Sequence, residues 1–254
     1  MDPFLMLSAL APCFLMGICW NRKCRPLALD EILEGYYARQ GGIDHLSTIT
    51  SMRVVGVNHT PDNEPAEFHL YKKAPNRSYL VINPKSPTEQ VVMAFNGEYP
   101  WMKEGFEAPE LMPEVSAQIF VRDAPILSHL AHSYKRGIRL ALVGETMIRK
   151  EYCYQINATL PDGAVIEYYI GRDDFLEKKI AHEMTVDGQL ERHEAYLSQY
   201  GVVGKLLQPF LIETFVNNGS HSAIEVREMQ INVPIADDLF EPEVSLAGPV
   251  KSGR

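Results

Sequence analysis

Four dipeptides of the kind that form tight β-hairpin turns are spread along the chain: Asn96-Gly97, Asp162-Gly163, Asp187-Gly188 and Asn218-Gly219. A type I′ turn needs a positive φ at both central residues, which Asn, Asp and Gly tolerate and bulky residues do not. Most of these dipeptides lie between runs in which apolar and polar residues alternate. The pattern predicts antiparallel hairpins joined into one meandering sheet with one apolar face.

The clearest alternation of apolar and polar residues lies in residues 150–160. Residues 164–170 repeat it after the Asp162-Gly163 turn, so these two runs are predicted to pair. The other strand-like runs are 51–58, 67–73, 77–82, 89–95, 138–148, 175–184, 189–200, 210–216 and 223–233. In the last run the apolar phase slips by one residue at Arg227-Glu228, which indicates a β-bulge or a bend. Eleven strand-like runs predict a large sheet.

Composition favours one sizeable core. The chain has 254 residues, 46% of them hydrophobic, and no Gly/Ser/Pro-rich linker divides it. We therefore expect one domain over residues 29–244 and a disordered tail over residues 245–254. The formal net charge is −9. Because phosphate backbones and anionic lipid surfaces repel an acidic body, nucleic acid is not an expected partner.

An apolar run without charged residues occupies positions 4–20, and Arg22, Lys23 and Arg25 follow it. The run is short for a bilayer span and contains a proline, which favours a signal peptide over a stable transmembrane helix. Residues 1–28 are therefore predicted to be a hydrophobic leader of an exported protein, with membrane contact only through this leader. Two alternatives stay open: an uncleaved anchor with a cytoplasmic body, which the basic residues after the run would favour, and lipid modification at Cys19.

Helices are predicted at two places in the chain. Asp30 can cap a helix with one apolar face that ends at Gly41-Gly42. The stretch between residues 95 and 138 contains Trp101 and many other apolar residues, and Asp123 before Ala124-Pro125 is typical of a helix N-terminus. We expect one or two helices in this stretch to cross one face of the sheet.

Several segments resemble the bacterial outer-membrane lipoprotein-sorting protein family. Residues 40–46, Gln-Gly-Gly-Ile-Asp-His-Leu, are similar to part of its region of opening helix and first strand. Asn96-Gly97 ahead of Trp101 is similar to the segment before its helical insertion. Asp237-Asp238-Leu239-Phe240 is similar to its terminal signature. The other similar segments are 31–37, 49–53, 143–145, 152–154, 168–173, 200–210 and 231–236. Together the segments cover about residues 30–242 in matching order.

The resemblance implies a mainly β (α+β) fold in which a large, curved antiparallel sheet forms an incomplete half-barrel, with helices covering its concave face. It also implies a cavity for acyl chains and a role in sorting lipoproteins to the outer membrane. The expected partners are a lipid acyl chain or a lipoprotein, together with an envelope protein. No cofactor is expected.

Half of the side chains of a large sheet face inward, and an apolar inner face is sufficient to bind an acyl chain because each buried methylene contributes about 0.8 kcal/mol. The candidates for the cavity lining are Trp101, Leu140, Leu142, Tyr152, Tyr154, Ile156, Ile166 and Tyr168. The alternative is that these side chains pack against the helices as a dry core. In that case the protein would be a structural or interaction module of the envelope with a filled cavity.

Metal and catalytic signatures are weak. His129 and His132 lie three residues apart, but two ligands do not make a zinc site, and the chain has no His-Glu-x-x-His motif. Cys153 is the one cysteine after the leader, and no Gly-x-Ser-x-Gly motif is present. We therefore expect a protein without a metal and without enzymatic activity. A hydrolase or isomerase would need a buried acid/base pair, such as Tyr168 with a histidine.

Overall fold

A computed structural model describes residues 27–243 of the chain. Nearly all of the predicted leader, residues 1–28, and the predicted tail, residues 245–254, lie outside the described residues, and the assignment of residues 29–244 to one domain stays a prediction. The helices are α1 (Leu29–Arg39), α2 (Ile43–Leu46) and α3 (Glu114–Asp123), with short 3-10 helices at Ser133–Arg136 and Asp237–Phe240. The strands are β1 (Ser51–His59), β2 (Ala66–Lys73), β3 (Arg77–Ile82), β4 (Val91–Phe95), β5 (Pro100–Glu104), β6 (Glu110–Leu111), β7 (Arg139–Ile148), β8 (Glu151–Thr159), β9 (Val165–Gly171), β10 (Glu177–Val186), β11 (Gln189–Val203), β12 (Leu206–Val216) and β13 (Gly219–Ile231).

All thirteen strands belong to one antiparallel sheet, in the order β6-β5-β4-β3-β2-β1-β13-β12-β11-β10-β9-β8-β7. The chain meanders from the centre to one edge through β6, and then from the other edge at β7 back to the centre, where β13 pairs with β1. Because β6 and β7 lie at opposite edges, the sheet stays open, and residues 112–138 between them have to cross one face. The predicted mainly β fold, a curved half-barrel with helices over its concave face, is confirmed.

The hairpin turns largely follow the predicted dipeptides. Asp187 and Gly188 have φ values of 50° and 78° and join β10 to β11. The last hairpin turn differs by one position, since Asn217 and Asn218, with φ values of 50° and 67°, form it and Gly219 already belongs to β13. Asn tolerates the left-handed conformation well enough to supply both positions.

The predicted β-bulge lies where the apolar phase slips. β13 pairs with β1 on both sides of Arg227, which has no partner residue on β1. On β1 the register shift falls at Gly56. A Cβ atom added to Gly56 would lie 2.4 Å from the carbonyl oxygen of Glu225, so only glycine allows the two backbones to approach this closely.

Three predictions about element bounds are wrong. β5 and β6 are strands, so Trp101 belongs to the sheet rather than to the helical insertion. Asp123 ends α3 instead of starting a helix, because Pro125 has no N–H with which to continue the helical hydrogen bonds. α1 begins at Leu29, before Asp30, and the Glu31 carboxylate accepts a hydrogen bond of 2.7 Å from the main-chain N–H of the N-cap residue.

Each face of the sheet is covered in part. On the concave face α1 packs its apolar side against β8, β9 and β10, and Ile32 is fully buried there. On the opposite face the segment around Phe240 covers Trp101, whose indole N–H donates a hydrogen bond of 2.9 Å to the Phe240 carbonyl. Within residues 27–243, no helix has the length and apolar character that crossing a bilayer requires.

Candidate functional site

A cavity of about 700 Å³ lies between the concave face of the sheet and the chain that crosses it. Its floor is formed by β1–β3 and β9–β13, and its roof by α3 and the residues that follow it. We call α3 together with residues 124–131 the cover. The apolar lining of the floor includes Phe68, Leu70, Leu80, Ile212, Ile224 and Met229.

The alternation of side chains along each strand produces this apolar lining. On β3, Leu80 and Ile82 face the cavity, whereas Val81 between them packs on the opposite face against Val92 and Trp101. Successive side chains of a strand point to opposite faces, so one strand supplies both the cavity lining and the outer core.

Few packing contacts hold α3 in place. None of the side chains of α3 is buried, although Ile119 and Phe120 line the cavity. Lys72 of β2 donates hydrogen bonds to the carbonyls of Asp123 and Pro125, the second at 3.2 Å, and so attaches the C-terminal end of α3 to the sheet. A cation at this end of a helix is favourable because the last carbonyls have no partner within the helix. The helix α3 is therefore attached to the sheet mainly by polar contacts at its C-terminal end, whereas the rest of the cover packs into the core through Leu130 and Ala131.

The cavity wall below α1 contains a buried acid. The Tyr36 hydroxyl donates a hydrogen bond of 3.0 Å to the Glu177 carboxyl group. Burial raises the pKa of Glu177, because the charged form loses its hydration. Tyr37 on the same helix donates a hydrogen bond of 2.7 Å to the Leu130 carbonyl, which ties α1 to the cover. The cavity wall at this end is thus polar but already hydrogen-bonded.

Tyr168 and His129 form the tyrosine–histidine pair that an enzymatic alternative would need. The Tyr168 hydroxyl lies 2.7 Å from His129 Nδ1. Burial raises the pKa of Tyr168, whereas burial and then the Arg136 charge lower the pKa of His129 to about 4. Both directions of shift favour the neutral forms of the two side chains at neutral pH. Acid/base catalysis works best with a pKa near the operating pH, which neither group has.

The eight predicted lining residues fall into three groups. Ile166 and Tyr168 line the cavity. Under α1, Tyr154 and Ile156 are buried in the core, with Leu140 and Leu142 packed against the same core. Outside both regions lie Trp101, on the opposite face, and Tyr152, whose side chain is 55% exposed. Ligand binding at these positions stays a prediction.

The displacement of the cavity from the predicted position has a physical cause. The ring of Tyr36 and the other apolar side chains of α1 fill the concave face over β8 and β9, where the strand pattern was clearest. The open space therefore lies mainly over β1–β3 and β10–β13, and it reaches β9 at Ile166 and Tyr168. Strand periodicity predicts the strands of this region, in residues 67–73, 77–82 and 223–233. It does not show which part of a sheet face a helix fills.

Two further sequence features can be located. Cys153 is buried on the outer face, and burial raises the pKa of its thiol to about 11. Among the residues that the structure describes, no three His, Cys, Asp or Glu side chains come together as metal ligands would. His129 instead bonds to Tyr168, and His132 Nε2 lies 3.0 Å from the Ser47 hydroxyl.

Comparison with known proteins identifies the fold. No family model matches the sequence, and no curated protein matches it. A solved LolA superfamily protein from Nitrosomonas europaea is similar with a TM-score of 0.58 and 14% identity, covering 84% of this chain and 97% of that one. A DUF1329 family protein from Desulfovibrio piger gives a TM-score of 0.57 and 14% identity, covering 82% and 97%. An outer membrane lipoprotein-sorting protein domain from Vibrio parahaemolyticus gives 0.56 and 8%, covering 82% and 94%.

These similarities place the chain among proteins with the fold of lipoprotein-sorting proteins. The resemblance drawn from the sequence is thereby confirmed at the level of the fold. At identities this low the comparison concerns the fold alone, and the role of the cavity has to be argued from its residues.

Proposed function

We propose that the protein is a non-enzymatic carrier that holds the acyl chain of a lipid or lipoprotein in the cavity. The observation that carries this proposal is an apolar, covered cavity of about 700 Å³, which is within the range of natural ligand pockets. A dry core would leave no such volume, because protein interiors pack without large voids. The volume therefore favours a carrier over an envelope module with a filled cavity.

The physical basis of binding is the transfer of methylenes from water to an apolar surface. A chain of twelve carbons gains about 9 kcal/mol in gross transfer free energy, from which the costs of association are subtracted. The lining supplies the necessary surface along β2, β3, β12 and β13. The helix α3 supplies the route, because none of its side chains is buried and its hydrogen bonds to Lys72 can be broken while Leu130 and Ala131 of the cover stay in the core.

The proposed site of action is the periplasm or cell envelope, and a role in lipoprotein sorting to the outer membrane follows from the same reasoning. The leader supports export, and the fold is shared with a lipoprotein-sorting domain. An envelope protein that receives or delivers the acyl chain is the further partner that such a role requires. The proposal includes no chemical step, since the pKa values of Tyr168 and His129 both oppose proton transfer near neutral pH.

Filling the cavity tests the proposal. Ile212→Trp places an indole in the floor of the cavity, where it would displace two or three methylenes of a bound chain. This loss corresponds to about 2 kcal/mol, or about thirtyfold weaker binding. The measurement is a fluorescence titration with a twelve-carbon fluorescent fatty-acid analogue.

Val143→Trp is the matched control, because Val143 is 56% exposed on β7 and lies outside the cavity. We expect it to bind the analogue as the unmodified protein does. Equal binding by the unmodified protein and Ile212→Trp would place the ligand elsewhere and refute the proposal.

A further inference from the structure

Unpartnered polar atoms mark one end of the cavity. Within residues 27–243, the buried side-chain atoms without a hydrogen-bond partner include Asn58 Oδ1, Arg122 Nε and His182 Nε2, and all three residues line the cavity. Buried polar atoms are nearly always hydrogen-bonded, so each exception needs an explanation. The Glu177 end differs, because there Tyr36 already satisfies the carboxyl group.

Arg122 and His182 face the same space from opposite walls. His182 lies on β10, where its ring stacks on that of His193 at 5.3 Å between centroids and an interplanar angle of 11°. Arg122 lies in the last turn of α3, on the cover, and its side chain is 12% exposed. The charge of Arg122 is one cause of the lowered pKa of His182, which shows that the two groups are within electrostatic range.

The acidic side chains near this end of the cavity do not accept a hydrogen bond from the Arg122 Nε–H. Asp162 Oδ2 lies 3.5 Å from Arg122 Nη2 and its side chain is 61% exposed, so it contacts the guanidinium from the solvent side. The Glu191 carboxylate accepts a hydrogen bond of 3.0 Å from His193 Nε2. Asp123 also lines the cavity and follows Arg122 in the chain. The inward-facing Nε–H of Arg122 is left as an unused donor in the cavity wall.

A guanidinium N–H and an imidazole nitrogen that can donate are the groups that recognise anionic oxygen. We propose that this end of the cavity binds the anionic headgroup of the lipid, a carboxylate or a phosphate, while the chain lies along the apolar floor. This inference rests on the proposed carrier function and names the class of its ligand. The net charge of the whole chain, −9, does not predict a site for an anion.

Amphiphiles of equal chain length test the headgroup directly. Calorimetric titrations of the full chain with dodecanoate, dodecyl phosphate and 1-dodecanol compare two anions with a neutral group on the same chain. We expect at least one anion to bind about tenfold tighter than the alcohol. Comparison of the dodecanoate and dodecyl phosphate titrations shows which anion is preferred. Equal affinity for the alcohol and both anions overturns the inference but leaves the carrier function standing, whereas no binding of any of the three overturns both.

Arg122→Gln removes the guanidinium from the cavity wall. We expect it to abolish the preference for the anion and to leave the affinity for 1-dodecanol within about twofold. Arg139→Gln, an exposed position on β7 outside the cavity, is the control and should keep the preference. An Arg122→Gln protein that still prefers the anion contradicts the assignment.

An NMR titration measures the pKa of His182 in the unmodified protein and so tests the inference without a substitution. Burial, followed by the charges of His193, Arg122 and Arg192, lowers the pKa of His182 to about 4. An anion bound beside the ring stabilises the imidazolium, so saturating dodecyl phosphate or dodecanoate should raise this pKa by about one unit. An unchanged His182 pKa at saturation shows that the headgroup lies elsewhere.

Discussion

Acidification should destabilise the protein through the buried histidines of the cavity wall. Burial lowers the pKa of both His129 and His182 from 6.5 to about 4. Between these two pH values the unfolded chain binds protons that the folded protein does not. Stability from these groups is therefore fully present above pH 6.5 and is lost as the pH falls toward 4.

The magnitude follows from the same two pKa values. At pH 5 the difference in proton binding corresponds to about 2 kcal/mol for each histidine, and allowance for partial solvent contact reduces it to about 1 kcal/mol each. The pair then lowers the free energy of unfolding by about 2 kcal/mol between pH 7 and pH 5, which shifts the urea midpoint by about 1 M. Urea unfolding followed by circular dichroism at both pH values measures this shift.

Glu177 acts in the opposite direction, so a variant is needed to isolate the histidine contribution. Burial raises the pKa of Glu177, and stability from this group is present at low pH and is lost as the pH rises through its folded pKa. His129→Gln should reduce the pH-dependent loss by about 1 kcal/mol, while His59→Gln on the exposed end of β1 should retain the acid sensitivity. A His129→Gln protein with the same pH dependence as the unmodified protein would refute the reasoning.

Three further expectations concern the cover, the bulge and the outer core. Lys72→Met should speed amide hydrogen exchange in α3 while leaving β12 unchanged, because it removes the hydrogen bonds to the C-terminal end of α3. Lys85→Met, at an exposed position, is the control and should exchange as the unmodified protein does, and unchanged exchange of α3 in Lys72→Met contradicts the expectation. Gly56→Ala should lower the free energy of unfolding by about 1–3 kcal/mol in urea titrations, and full stability would show that the backbones at the bulge can separate. Cys153 should react with a thiol reagent at pH 7 only after unfolding, and rapid labelling of the folded protein would count against its burial and a thiol pKa of about 11.

Local turn chemistry and strand periodicity were sufficient to predict most of the sheet. The phase slip at Arg227 located the bulge, and the Asp187-Gly188 dipeptide located a hairpin, because each feature depends on residues adjacent in sequence. β5 and β6 were missed, since short strands after Pro100 show too few alternating positions to define a period. Pro125 follows the end of α3, although the sequence around it predicts a helix start. Proline is compatible with the first turn of a helix and with the residues just after a helix, so the sequence pattern does not separate the two.

The site was harder to predict because it depends on how separate elements fill the concave face. The inner face of β8 was identified from its alternation, but the pattern could not show that α1 covers Tyr154 and Ile156 while Tyr152 extends past the covered region. The pairs Tyr36–Glu177 and His129–Tyr168 join residues more than thirty positions apart. Such contacts follow from the path of the chain across the sheet, which a single sequence does not encode locally.

The central claim is that the cavity holds a lipid. Native mass spectrometry of the full chain, purified from bacterial envelopes without detergent, measures occupancy directly. The account predicts a species heavier than the polypeptide by the mass of a lipid, which disappears after organic extraction and is depleted in Ile212→Trp relative to Val143→Trp. A single species at the mass of the bare polypeptide, together with failure to take up a fatty acid added afterwards, would contradict the account.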